Sequence, residues 1–303
     1  MKKHIYIYSP SGAVRDKAAF RRGVKRLQAQ GHEVEIDVAV LVSHQRFAGD
    51  DATRLAAIER ACDSGADVAL ISRGGYGLTR ILPGINYKKI AKSIERGMLF
   101  VGISDFTAFQ NAVLAKTGAL TWAGPALCEG FGAPDGPDEI MQACFDDLLC
   151  GQGEGTGWQQ LRGTDQPALH VQNATLWGGN LAVLTSLLGT PYFPDIRNGV
   201  LFLEDVCEHP YRIERMLTQL LHAGVLKRQK AIVMGQFTEY SLTPHDRGFR
   251  LSCVMAWLKQ QVNVPVLTNL PYGHVQTKVL LPVGSRVELA AQDRDVLMAW
   301  GHL

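Results

Sequence analysis

Residues 98–116 read MLFVGISDFTAFQNAVLAK. Met98–Ile103 is an unbroken apolar run of strand length, and Asp105–Lys116 reads as an amphipathic helix. A buried strand that turns directly into a helix is the unit of a parallel sheet covered by helices. The same alternation runs back to the start of the chain. His4–Tyr8 is an apolar strand ending in the turn Ser9-Pro10-Ser11-Gly12. Asp16–Gln30 carries Phe20, Val24 and Leu27 at helical spacing and closes at Gly31. Glu33–Val40 alternates like a strand, Asp51–Cys62 is helical with a stop at Gly65, and Asp67–Ser72 is a second buried strand. The pattern changes near Cys150, where GQGEGTG at 151–157 holds four glycines and favours a flexible connection. The sequence thus predicts a flavodoxin- or Rossmann-like α/β domain over 1–150, a linker over 151–165, and a mixed, β-rich domain over 166–303. In the last part, helices are expected near 179–188 and 210–223. Short strands are expected at Ala168–Val171, Gly199–Leu203, Ala231–Met234, Val264–Leu267, Val279–Leu281 and Arg286–Leu289. Pro282-Val283-Gly284-Ser285 reads as a hairpin-like turn in an antiparallel tail.

The 303 residues are 46% hydrophobic and 20% charged, with a formal net charge of +2. Such a chain can bury a substantial core. Its near-neutral charge gives no reason to expect a nucleic-acid or anionic-membrane partner. There is no apolar run of transmembrane length. The stretch after Lys2-Lys3 is too short for a signal-peptide core, so a cytoplasmic protein is expected. The six cysteines are scattered without a CxxC pair and read as reduced thiols. HExxH is absent, so neither a metal nor another cofactor is expected.

Four segments carry candidate chemistry. Ser104 lies between the strand and helix of the opening stretch, where ligands gather in open parallel sheets. Its hydroxyl would face the crevice, and the Asp105 N–H at the helix start could meet an oxyanion. The motif is G-x-S-x-x, without the second glycine of a nucleophile elbow, and a serine there also suits a helix N-cap. Ser72-Arg73-Gly74-Gly75-Tyr76-Gly77 follows another buried strand. Its glycines allow close backbone approach, and Arg73 could reach a carboxylate; a tight turn is the plain alternative. Glu204-Asp205 follows an apolar run, with Glu208 and His209 nearby. A carboxylate there must be solvated or paired, for instance with a histidine, unless it serves the helix near Pro210. His274, in the loop Leu270-Pro271-Tyr272-Gly273-His274, is one of nine histidines. An imidazole with a pKa of about 6.5 can act as base and then acid, though a loop histidine is often just exposed.

Together these segments resemble the L,D-carboxypeptidase family, or murein tetrapeptide carboxypeptidases. The resemblance covers nearly the whole chain. It includes Ser9–Gly12, Arg46-Phe47-Ala48-Gly49, Arg73–Gly77, Gly102-Ile103-Ser104-Asp105, Trp177-Gly178-Gly179-Asn180-Leu181, Leu203-Glu204-Asp205, Tyr211–Arg215 and Gly273-His274. It implies a Ser–His–Glu triad with Ser104 as nucleophile, Glu204 as orienting acid and His274 as base. The serine would come from the first domain, the acid and base from the second, and the active site from the crevice between. The implied activity is removal of the terminal D-alanine from murein tetrapeptides in cell-wall recycling. Backbone N–H groups of Asp105 and Gly75 would hold the oxyanion, while Arg73, Gly74 and Tyr76 are candidates for the substrate carboxylate. Trp177 is a candidate crevice wall or a packing residue. The family pattern often has glycine where this chain has Cys207, leaving Glu208 as the alternative acid. A homodimer is implied by analogy. A related hydrolase of peptidyl or acyl-sulfamoyl nucleotides would share the triad, and a non-catalytic module binding a phosphate at Gly74-Gly75 is a more distant alternative.

Overall fold

The computed structural model describes residues 2–162 and 168–302. The last residues of the expected linker, 163–165, and the first two of the expected second domain, 166 and 167, lie outside the described residues. The chain forms two compact units: one of Met1–Gly153, Gly189–Pro194 and Gln276–Gly284, the other of Glu154–Leu188, Asp195–Val275 and Ser285–Leu303.

The first unit begins β1 (His4–Tyr8), α1 (Lys17–Ala29), β2 (Glu33–Ile36), α2 (Asp51–Asp63), β3 (Val68–Ile71), α3 (Leu78–Ile81) and α4 (Tyr87–Glu95). It continues with β4 (Leu99–Gly102), α5 (Phe106–Thr117), β5 (Thr121–Ala123) and α6 (Glu139–Cys150). The second unit opens with β6 (Gly155–Gln159), β7 (Leu169–Asn180), α7 (Leu181–Ser186), β8 (Val200–Val206) and α8 (Pro210–His222). Then come β9 (Ala231–Thr238), α9 (Leu251–Gln261) and β10 (Val266–Leu267). β11 (Leu281–Val283) belongs to the first unit, and β12 (Arg286–Gln292) and β13 (Asp295–Ala299) to the second.

In the first unit the strand order is β11-β5-β4-β3-β1-β2, parallel except for β11. Strands β1, β3 and the inner part of β4 are buried, as their apolar runs require. The order reverses between β1 and β3, which makes their carboxyl ends a topological switch point. The loops leaving the two strands meet there. Ser9 Oγ lies 2.6 Å from Ser72 Oγ, and the Gly12 N–H donates to the Gly74 carbonyl at 3.2 Å. The second unit has the order β10-β9-β8-β7-β12-β13-β6, parallel from β10 to β7 and antiparallel beyond. The expected α/β and mixed, β-rich fold classes are therefore borne out.

Several element expectations need correction. Glu33–Val40 is a strand only to Ile36, because Asp37 turns to accept from the Ala39 N–H and bonds Tyr6 and Arg60. Gly155 and Gly157 are not linker: they pair with Ala299 and Leu297 in β6–β13. A side chain on Gly155 would lie 2.6 Å from the Met298 carbonyl. The segment at 168–171 is the start of the twelve-residue β7, which runs through Trp177 to Asn180. Pro282–Ser285 is no hairpin turn, since β11 pairs with β5 and β12 with β7, in different sheets. The tail's hairpin is instead β12–β13.

Candidate active site

In the first unit, Ser104 sits between the end of β4 and the start of α5 with φ +67°. A left-handed conformation is unfavourable for a residue with a β-carbon and points to a site where it is needed. Here it gives the sharp strand-to-helix bend of a nucleophile elbow. The bend is made possible from below by Gly102, where a β-carbon would lie 2.6 Å from the Phe106 ring. The first α5 N–H groups are taken up as Phe106 N to Ile103 O and Thr107 N to Ser104 O. The Asp105 N–H precedes that ladder.

The glycine loop after β3 packs directly on this turn. A β-carbon on Gly74 would stand 2.5 Å from Ser104 Cβ and 2.8 Å from its Oγ, so only glycine fits. Gly75 (φ +117°) and Gly77 (φ +141°) give the loop its path. Gly75 and Tyr76 are exposed. Tyr76 packs on Phe47, with Arg46 over its ring. The Arg73 side chain donates to the Ala13 carbonyl at 3.2 Å and lies 3.6 Å from Glu129. With Arg15 and Arg22 it lines a cavity of about 390 Å³ in the same unit.

In the second unit, Glu204 is fully buried within β8 and its Oε2 lies 2.8 Å from His274 Nδ1. Gly273 allows this approach: at φ +143° a β-carbon would sit 3.2 Å from the Glu204 carboxylate. The preceding Tyr272 is buried against Phe202, and its carbonyl accepts from the Gln236 N–H of β9 at 2.9 Å. The histidine loop is thus held to the sheet on the residue before the glycine. Glu208 lies instead 3.8 Å from Arg212 at the surface.

Asn180, at the end of β7, joins the two acids. Its Nδ2 donates to Glu204 Oε1 at 3.2 Å and to Asp205 Oδ1 at 2.9 Å, while its Oδ1 caps α7 through the Val183 N–H. Its signal was the strand-to-helix junction, where asparagine is a common cap. Asp205 also accepts from the Val206 and Ala182 N–H groups. Burial first, and then the adjacent Glu204 charge, push its pKa up to about 7. Cys207 has φ +61°, the region that favours glycine, which gives a backbone reason for glycine at this position.

Trp177 does not wall a crevice. It is fully buried in the second unit, and its indole N–H donates to Gln229 at 3.0 Å. A ring with no accessible face cannot receive a ligand, so packing explains it.

Asp205 gives the fold a pH dependence. Its raised pKa means that between about pH 4 and 7 the folded chain keeps a proton that the unfolded chain releases. This contribution favours folding at the acid end of that window and is lost as pH rises through 7. Thermal melts should show Asp205→Asn narrowing the gap between Tm at pH 5 and at pH 8. An unchanged gap would rule out this titration.

Residues 5–124 match the LD-carboxypeptidase N-terminal domain, and residues 173–289 the LD-carboxypeptidase C-terminal domain. The chain belongs to the LD-carboxypeptidase family. The family expectation is borne out, and the protein is a hydrolase of the carboxypeptidase class. This LD-carboxypeptidase is similar to the crystal structure of muramoyltetrapeptide carboxypeptidase from Oxalobacter formigenes, with 39% identity, a TM-score of 0.89 and 98% of each chain covered. It is 30% identical to the "Probable murein peptide carboxypeptidase" of Bacillus subtilis, over 91% of this chain and 85% of that protein. It is also 26% identical to the Microcin C7 self-immunity protein MccF of Escherichia coli, over 97% of this chain and 92% of that one. Among the described residues, no helix is long and apolar enough to cross a membrane.

Proposed function

We propose that this LD-carboxypeptidase removes the terminal D-alanine of murein tetrapeptides, cleaving its bond to the L-centre of meso-diaminopimelate in cell-wall recycling. The left-handed Ser104 at the strand-to-helix bend carries the reading, because this strained turn suits a nucleophile and the glycine loop is packed on it. The names of the Oxalobacter and Bacillus relatives support the substrate. In this reading Ser104 attacks the scissile carbonyl and His274 takes its proton. Glu204, accepting from Nδ1–H, fixes the imidazole tautomer and offsets the imidazolium charge. The N–H groups of Asp105 and Gly75 receive the oxyanion. His274 then protonates the departing D-alanine amine, and water, deprotonated by the same imidazole, releases the shortened peptide. Arg73 or Tyr76 receives the terminal carboxylate. The enzyme works in the cytoplasm as a homodimer, a reading supported by family analogy.

Mass spectrometry of a muropeptide pool incubated with the enzyme tests the substrate. The expected result is loss of one alanine from tetrapeptides, with tripeptides and pentapeptides unchanged. Untouched tetrapeptides would overturn the proposal.

A further inference from the structure

Asp105 occupies the N-cap position of α5, where an aspartate ordinarily accepts from the N–H groups of its own helix. It makes no such bond. Its carboxylate, only 1% exposed, turns away from the helix. Oδ2 accepts from Ser11 Oγ at 2.5 Å and from the Leu78 N–H at 2.9 Å. Ser11 belongs to the loop after β1, while Gly77 and Leu78 close the glycine loop after β3. One side chain, next in sequence to Ser104, therefore ties both switch-point loops to the nucleophile turn.

The carbonyl side of the same Gly77–Leu78 peptide is held as well. Arg54 is fully buried, and its Nη1 donates to the Gly77 carbonyl at 2.7 Å. Its guanidinium lies over the Phe47 ring, 4.8 Å from the centroid, and its Nη2 reaches Asp51. The Gly77–Leu78 peptide is thus gripped through the Leu78 N–H by Asp105 and through the Gly77 carbonyl by Arg54. At the other end of the loop, Gly74 rests on Ser104 itself. The Gly75 N–H lies on the short span between these fixed points. Burying a carboxylate and a guanidinium is costly. Burial raises the Asp105 pKa, against the hydrogen bonds from Ser11 and Leu78 and the nearby Arg54 charge.

We infer that the Asp105 side chain is a positioning residue for the reaction: with Arg54, it clamps the glycine loop so that the Gly75 and Asp105 N–H groups face the oxyanion formed at Ser104. The inference rests on the proposed serine mechanism. Its effect falls on transition-state stabilisation more than on substrate binding.

Asp105→Asn keeps the shape but sets an amide N–H against donors that now meet a carboxylate. The expected result is a fall in kcat of about tenfold to a hundredfold, with KM within about threefold, since loss of one oxyanion donor costs about 10²–10³. Phosphonylation of Ser104 by a fluorophosphonate, assayed well below Tm, should slow by a similar factor. Asp37→Asn is the control for simple structural loss. Asp37 is equally buried in the same unit but bonds Tyr6 and Arg60. It should lower Tm without slowing phosphonylation. Should Asp105→Asn fail to fold, Ser11→Ala removes one donor to the same carboxylate and should slow phosphonylation about threefold to tenfold. The clamp is overturned if folded Asp105→Asn, or Ser11→Ala in its place, stays within twofold of the parent. It is equally overturned if Asp37→Asn slows phosphonylation as much as the clamp variant does. A Ser104→Ala variant that still turns over would instead sink the serine mechanism. A dead Ser104→Ala beside a parent-like Asp105→Asn would remove the clamp alone.

Discussion

Ser104→Ala is expected to release no measurable D-alanine, a loss of about 10⁴-fold or more in kcat. That corresponds to more than about 5 kcal/mol of transition-state stabilisation. In the proposed mechanism, removing Oγ deletes the atom that forms the acyl bond, and neither the glycine loop nor the α5 N-terminus can supply a substitute. The fold should be little affected. Alanine keeps the β-carbon that packs beside Gly74 and inherits the same φ of +67°. Release of D-alanine from a murein tetrapeptide, followed with a D-amino-acid oxidase, reads the activity. A circular-dichroism melt reads the fold. A well-folded variant that still turned over would end the serine mechanism.

His274→Ala and Glu204→Gln are expected to lose about 10²–10⁴-fold in kcat. The first removes the proposed base. The second keeps the volume of a fully buried side chain but replaces the 2.8 Å acceptor of His274 Nδ1 with an amide. It can then favour the wrong imidazole tautomer and carries no charge to balance the imidazolium. Glu208→Gln is the comparison, because Glu208 lies beside Arg212 at the surface. It should stay within a few-fold of the parent. A silent Glu204→Gln with a dead Glu208→Gln would exchange the roles of the two acids.

The parallel unit was legible because its inner strands, β1, β3 and β4, are buried on both faces. Runs such as Val68–Ile71 therefore stay apolar throughout and stand out from the amphipathic helices. Glu204 and His274 stand out locally as a carboxylate after an apolar run and a histidine in a loop between strands, but only the family resemblance joins them. What local patterns missed depends on partners far along the chain. Gly155 and Gly157 look like a linker because their strand character comes only from pairing with β13. Pro282–Ser285 has the composition of a hairpin turn, yet the strands on either side pair in different sheets. The sequence leaves Trp177 open between crevice wall and packing residue, since Gln229, the partner of its N–H, lies 52 residues away. The sequence offers Asp105 only through its backbone N–H. A side chain that abandons its own helix to bond Ser11 and Leu78 leaves no local periodicity to detect.

The place of β11 bears on how the chain is made. A ribosome that has delivered the first 153 residues has produced β1–β5 but not residues 281–283, which cover the β5 edge. Until then β5 exposes unpaired N–H and carbonyl groups, a template for pairing with other chains. The two units therefore cannot mature as successive beads on a string. The first is completed only when nearly all of the second has emerged, so a truncation after residue 153 would yield an aggregation-prone fragment in place of a minimal catalytic module.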